Sequence, residues 1–295
     1  MIPRDVIKKI RRIQITTDRK VTDVFAGQYQ SVFKGVGMEF HEVRKYMPGD
    51  DIRSIDWNVT ARMGDPFIKK FIEERELTIM FLLDVSMSNR FGTKRRLKNE
   101  LAAEVCSALA FSAIYNNDKV GMITFTDKVE KYIPPRKSPK HGLRVIREAL
   151  YNDPEGRGTD LNSALEYLNR IITRSAIVFV ISDFLCKDDY KKTLSITNRR
   201  HDVIAVNVND PGEIKMPDAG LVRLRDAETG EEMTVDTSDR RARAFFAKKA
   251  LKKRNINREL FRSVNVDSID VSTDRPYAGP LLRFFRMRER RLHAG

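Results

Sequence analysis

Residues that announce export or catalysis are scarce in this chain. Its two cysteines, Cys106 and Cys186, stand far apart, and two reduced thiols are the plain reading, preferred over a disulfide. The four histidines, His41, His141, His201 and His293, are scattered without zinc-site spacing. No Gly-x-x-x-x-Gly-Lys-Ser/Thr loop is present to cradle a phosphate. Long apolar runs are missing too. The longest, Leu77–Leu83 and Ala176–Ile181, fall far short of the roughly 20 residues a membrane helix needs. Charge interrupts the segment Met1–Arg12, so no targeting signal is visible and a cytoplasmic location is the expectation.

What the chain does have is enough apolar material for one full core. At 295 residues, 41% hydrophobic and 33% charged, it is long enough for a full-sized domain plus a smaller module. Leu77–Leu83, Ala176–Ile181 and Val203–Val208 lack apolar–polar alternation, as strands of a parallel sheet covered on both faces do. Helical spacing separates them. Leu97, Leu101, Val105 and Leu109, joined by Ala102, Cys106 and Ala110, predict a helix over about 93–116. Leu161, Leu165, Leu168 and Ile172 predict another, opened by Thr159-Asp160, and Lys119–Thr126 reads as a further strand. Strands alternating with helices imply right-handed crossovers and a doubly wound α/β domain with a mostly parallel sheet, over residues 76–295. Residues 1–75 have a different texture: a basic helix-like start, scattered glycines and prolines, and the alternating run Gln28–Phe33. They predict a small β-rich N-terminal module. A late hairpin insertion is expected at about 220–237, where Leu221–Arg225 and Glu232–Val235 flank a turn-rich link.

Charge is the second compositional signal. Fifty-five Lys and Arg against forty-one Asp and Glu give a net charge of +14, which favours acidic partners. The excess lies late, in Arg240–Arg262 and Arg283–Arg291. Phe245, Phe246, Leu251, Ile256, Leu260 and Phe261 punctuate the first segment at core-like spacing, so solvated faces of amphipathic helices are the preferred reading over a nucleic-acid surface.

Asp84-Val85-Ser86-Met87-Ser88 directly follows the first buried strand and puts a carboxylate and two hydroxyls on a tight turn. Ligands of open α/β sheets bind beyond the carboxyl ends of the strands. Gly156-Arg157-Gly158-Thr159-Asp160 and Ser182-Asp183 deliver oxygen donors to the same edge. Taken singly, Thr159 and Asp160 read as helix caps and Ser86 and Ser88 as turn residues. Taken together, Asp84, Ser86, Ser88, Thr159 and Asp183 form a hard-cation donor set suited to Mg²⁺, or to Mn²⁺ or Ca²⁺.

In order and context these residues resemble the metal-ion-dependent adhesion site of von Willebrand factor A domains, a Rossmann-like fold. The resemblance implies that Ser86, Ser88 and Thr159 ligate the ion directly, that Asp84 and Asp183 orient ligands and bound water, and that a partner's Asp or Glu completes the shell. The run Glu39–Trp57, with Ala61-Arg62 and Glu73-Glu74-Arg75, resembles the family called domain of unknown function 58 over nearly the whole chain. That resemblance implies an N-terminal module joined to an A-type domain and an association with MoxR-type AAA+ ATPases. Within it, Asp50, Asp51 and Asp56 with Arg53 could form a second metal or catalytic group. A Pro-Gly turn with Asp–Arg pairing and an anchoring Trp57 explains them without chemistry and is the preferred explanation.

The functional expectation is a noncatalytic, metal-dependent protein-interaction module. A Mg²⁺-dependent phosphotransferase or hydrolase using Asp84 as nucleophile is the alternative, but haloacid-dehalogenase chemistry wants an aspartate where Ser86 stands. Nucleic-acid binding through the basic C-terminal helices ranks third.

Overall fold

The unalternating apolar runs form the centre of a six-stranded sheet. The computed structural model describes residues 29, 32–33, 39–72, 76–93, 96–186, 188–225 and 230–294. A first antiparallel pair, β1 (Glu39–Lys45) and β2 (Phe67–Ile72), is connected through a short helix α1 (Trp57–Met63). The main sheet comprises β3 (Thr78–Asp84), β4 (Lys119–Phe125), β5 (Val129–Arg136), β6 (Ile177–Ser182), β7 (Asp202–Asn209) and β10 (Asp267–Ser272). Its spatial order is β10-β7-β6-β3-β4-β5, and only β5, on one edge, is antiparallel. This is the expected doubly wound, mostly parallel architecture. The chain starts at the sheet centre with β3, builds outward through β4 and β5, then returns to place β6 on the other flank of β3. The strand order therefore reverses between β3 and β6, and loops leaving their carboxyl ends diverge to leave a crevice.

Alternate residues of β3 feed two cores. Ile79, Phe81 and Leu83 join one face, with residues of α2 (Lys98–Tyr115), α3 (Pro139–Leu150) and α7 (Ala278–Ala294). Met80 and Leu82 join the other, with α4 (Leu161–Ile171), α5 (Lys191–Arg200) and the end of α6 (Arg240–Ser263). Phe81 stacks on Phe179 across β3 and β6 at 5.7 Å. The late hairpin forms as expected, with β8 (Leu221–Arg225) paired antiparallel to β9 (Glu232–Asp236).

Several expectations need correction. The stripe on α2 is buried at Leu101, Val105 and Leu109, but Leu97 is an exposed N-cap, and burial extends almost round the helix. Ser107 and Ser112 are tolerated inside because their hydroxyls donate to the carbonyls of Ala103 and Ala108. α3 lies close against α2 at Gly142, where an added Cβ would come within 2.0 Å of Ile114. Tyr29, Val32 and Phe33, read as an alternating strand, are helical and pack into the first core against Phe179 and Phe285. On α6 only the final turns meet the sheet. Phe261 packs against Phe184 at 4.9 Å, whereas Phe245, Leu251 and Ile256 are exposed rather than core.

The carboxylates of 50–57 serve structure. Asp50 takes a two-pronged bond from Arg44, not Arg53, and accepts Met47 N–H, and these bonds hold its pKa below the usual carboxylate value. Asp51 caps a turn through Arg53 N–H, and Asp56 caps α1 through the N–H groups of Asn58 and Val59. Trp57 is 67% exposed rather than buried as an anchor, so that part of the expectation is corrected. The expected N-terminal helix and the Glu73-Glu74-Arg75 match lie outside the described residues. Among the described residues no helix is long and apolar enough to cross a membrane.

Arg288 of α7 fixes the amino ends of β7 and β10. Its guanidinium forks onto Asp202 at 2.5 and 2.7 Å and donates to Asp267 at 2.7 Å, lying over the rings of Phe33 and Phe284. Removing it leaves the partly buried carboxylates without their fork. Arg288→Ala is expected to cost about 3 kcal/mol in denaturant unfolding, and Arg288→Lys to recover less than half of that, because an ammonium cannot make the planar two-pronged contact.

Candidate metal centre

The turn after β3 is organised by Asp84. Its Oδ1 accepts Ser86 N–H at 3.0 Å, and its Oδ2 accepts the Ser182 hydroxyl at 2.6 Å. The first bond closes the turn locally; the second ties the end of β3 to the end of β6 across the crevice. The hydroxyls of Ser86 and Ser88 meet at 3.0 Å. Asn89, buried beside them, reaches Asp84 O at 3.4 Å and Ser86 Oγ at 3.5 Å through its amide nitrogen, while its Oδ1 has no hydrogen-bond partner among the described residues.

Ser182 also accepts Phe184 N–H at 3.0 Å, and Asp183 Oδ1 accepts Leu185 N–H at 3.0 Å, so the chain turns sharply after β6. Phe184 adopts a left-handed backbone with φ of 52°, unfavourable for a bulky residue. Its buried ring, packed on Phe261 and Tyr190, and its carbonyl, bonded by Asn257 of α6, hold it there.

The third segment, 156–160, is drawn in by backbone bonds. Arg157 O accepts Met87 N–H at 3.1 Å, and Asp160 N–H donates to Thr126 O at 2.8 Å, so Thr159 lies between two anchors beside the Ser86-Met87 turn. Gly156 permits this approach, because an added Cβ would sit 2.1 Å from both Thr126 Oγ1 and Asp127 Oδ1. Asp160 caps α4 through Ser163 N–H, so the capping explanation applies to it. The structure thus links Asp84, Ser86 and Ser88 through short contacts and ties Asp84 to Ser182, next to Asp183, whose own carboxylate bonds Lys98 and Leu185 N–H. It also brings the Thr159 loop against the same turn.

Electrostatics set the character of this edge. Burial, reinforced by the nearby Asp183 charge, raises the Asp84 pKa to about 6 despite the bonds from Ser182 and Ser86. The Lys98 ammonium at the start of α2 bonds Asp183 Oδ2 at 2.6 Å and Glu213 Oε1 at 2.5 Å, with its side chain 1% exposed. Burial alone would lower the Lys98 pKa; the two carboxylates more than offset it and raise it. Cys186 lies near enough to feel Asp84 and Asp183, but burial foremost pushes its thiol up to about 12, so it offers no thiolate at neutral pH. Among the described residues no group of three or more His, Cys, Asp and Glu could hold a metal. The available donors are hydroxyls backed by two carboxylates, with an orphaned amide oxygen below. Such a set fits a hard, partly hydrated cation better than zinc or copper.

Lys98, Glu213 and Asn89 were not singled out from sequence. Lys98 sits in the charged run Arg95–Glu100, which reads as solvated surface. One signal pointed inward: it stands three, four and seven residues before Leu101, Ala102 and Val105, on the buried stripe.

A pH effect follows in the metal-free protein. The Asp84 pKa of about 6 lies above the 3.8 of an ordinary aspartate, so the fold binds this proton more tightly than the unfolded chain does. Its contribution to stability is fully present below 3.8, is lost as pH rises towards about 6, and is flat above. Asp84→Asn should gain on wild type by on the order of 2 kcal/mol between about pH 4 and about pH 7, measured by urea unfolding in EDTA.

The chain is similar to proteins of several bacteria. The uncharacterized protein Rv1480 of Mycobacterium tuberculosis H37Rv is 32% identical over 290 residues, 97% of this chain and 90% of that protein. YeaD of Bacillus subtilis strain 168, also uncharacterized, is 23% identical over 146 residues, covering 50% of this chain and 34% of its own length. Among solved structures, the conserved hypothetical protein BatB from Bacteroides thetaiotaomicron matches 72% of this chain and 99% of its own, at 16% identity and a TM-score of 0.45. Residues 42–256 match the family described as protein of unknown function DUF58, and the chain belongs to that family.

Proposed function

We propose that this protein is a noncatalytic, metal-dependent protein-interaction module, an adaptor that works with a MoxR-type AAA+ ATPase. The observation that carries this reading is the junction of three segments at the strand-order reversal. There the Ser86 and Ser88 hydroxyls face each other at 3.0 Å over an unpartnered Asn89 Oδ1. Ser86, Ser88 and Thr159 would hold a Mg²⁺, or a Mn²⁺ or Ca²⁺, with Asp84 and Asp183 accepting hydrogen bonds from its water. When bound, such an ion supplies an open coordination position that an Asp or Glu of the partner completes.

The residues themselves argue against the enzymatic alternative. Both oxygens of Asp84 accept a hydrogen bond, from Ser86 N–H and from Ser182, and Ser86 stands where the phosphotransferase pattern wants a second aspartate, which disfavours Asp84 as a nucleophile. The nucleic-acid reading also weakens, because several of the late arginines are engaged within the chain. Arg254 and Arg258 pair with Asp270, and Arg288 and Arg291 with Asp267.

The test is direct binding between the purified chain and a MoxR-type ATPase from the same cell, in Mg²⁺ and in EDTA. EDTA or Ser86→Ala is expected to weaken association at least about tenfold, equivalent to about 1.4 kcal/mol. Undiminished affinity in either condition would overturn the reading.

A further inference from the structure

The buried lysine beside the candidate centre is the feature that a metal site least needs. We propose that Lys98 is a built-in counter-ion that keeps the intrinsic ion affinity of the centre low, so that tight ion binding requires the partner's carboxylate. This rests on the metal reading above.

Helix stability does not account for Lys98. It occupies the first position of α2, where the helix dipole is positive and an acidic residue is favoured. It is also almost completely removed from water, which an unpaired ammonium does not tolerate. The contacts that compensate are with one carboxylate of the centre and one outside it. Asp183 Oδ2 lies 2.6 Å from Nζ, and Asp183 Oδ1 is taken by Leu185 N–H, so both oxygens of Asp183 are engaged by protein donors. A fixed positive charge bonded to Asp183 cancels much of the attraction Asp183 would exert on a divalent cation and repels that cation directly.

Glu213 moderates the effect. It draws on the same ammonium at 2.5 Å and is itself fixed by accepting Asp210 N–H at 3.0 Å. Asp210 is in turn bound by Thr93 N–H at 3.0 Å, Gly212 N–H at 2.7 Å and the hydroxyl of Thr273. The ammonium is therefore held between two carboxylates whose positions are set by the β6 and β7 ends, and its charge cannot swing away when a cation arrives. What remains for the ion is the single carboxylate of Asp84 and neutral hydroxyls. That set binds weakly until a partner adds a negative charge.

The two carboxylate contacts give opposite predictions. Lys98→Gln removes the charge while keeping a donor for Asp183, and should tighten Mn²⁺ binding at least about tenfold. Glu213→Gln leaves the ammonium less neutralised and should weaken Mn²⁺ binding about threefold. Both are read by calorimetric titration and by the Mn²⁺ electron paramagnetic resonance signal, on the full chain without partner. A purely structural lysine would weaken binding when replaced, so loss of affinity in Lys98→Gln, or no change, overturns the proposal while leaving the metal reading intact. If Lys98→Gln does not fold, Glu213→Gln decides alone: affinity equal to or above wild type overturns it. Absence of Mn²⁺ binding to wild type and both variants at millimolar ion overturns the proposal and the metal reading together.

Discussion

A single hydrogen bond, from the Ser182 hydroxyl to Asp84, joins the ends of the two central strands where the strand order reverses. Elsewhere β3 and β6 are held by a regular parallel ladder; here the ladder stops and the chains must diverge. Without a donor from β6, Asp84 would be a buried carboxylate satisfied only by its own turn, at a cost of several kcal/mol. The same Ser182 oxygen accepts Phe184 N–H and so turns the chain that carries Asp183. The geometry of the crevice thus follows from one hydroxyl acting as donor to one strand and acceptor from its own loop.

Much of the fold could be read directly from the residues, because burial on both faces leaves a plain mark. Leu77–Leu83, Ala176–Ile181 and Val203–Val208 become β3, β6 and β7 within a residue or two, and the late hairpin falls where its turn residues pointed. What escaped was determined by contacts distant in sequence. The aromatics of α6 look alike by spacing, yet among the described residues only Phe261 is buried, against Phe184, because only the end of that helix lies over the sheet. Tyr29 and Phe33 alternate as a strand would, but an aromatic pocket made by Phe179 and Phe285 takes them as helix. For the candidate centre, the donors at strand ends were visible because topology fixes where strand ends go. Lys98 was not, since its partners Asp183 and Glu213 lie 85 and 115 residues away.

Net charge proves a poor guide to surface chemistry here. Arginines of the last two helices neutralise Asp202, Asp267 and Asp270, acids placed on the first residues of β7 and β10 and within β10. Several of the late arginines thus serve as an internal fastening of α6 and α7 to the sheet. A lysine performs the corresponding service at the opposite ends of the strands, where it meets Asp183.

The exposed Trp57 has an optical consequence. It is the chain's single tryptophan and sits on α1, between β1 and β2, with its indole in water. Its fluorescence is therefore red-shifted in the native state and responds to the β1–α1–β2 unit, whereas far-ultraviolet circular dichroism is dominated by the long helices and the six-stranded sheet. The molecule carries two spectroscopic channels that observe different parts of it. Whether their unfolding curves superimpose is a direct measure of how cooperatively the N-terminal unit and the sheet hold together.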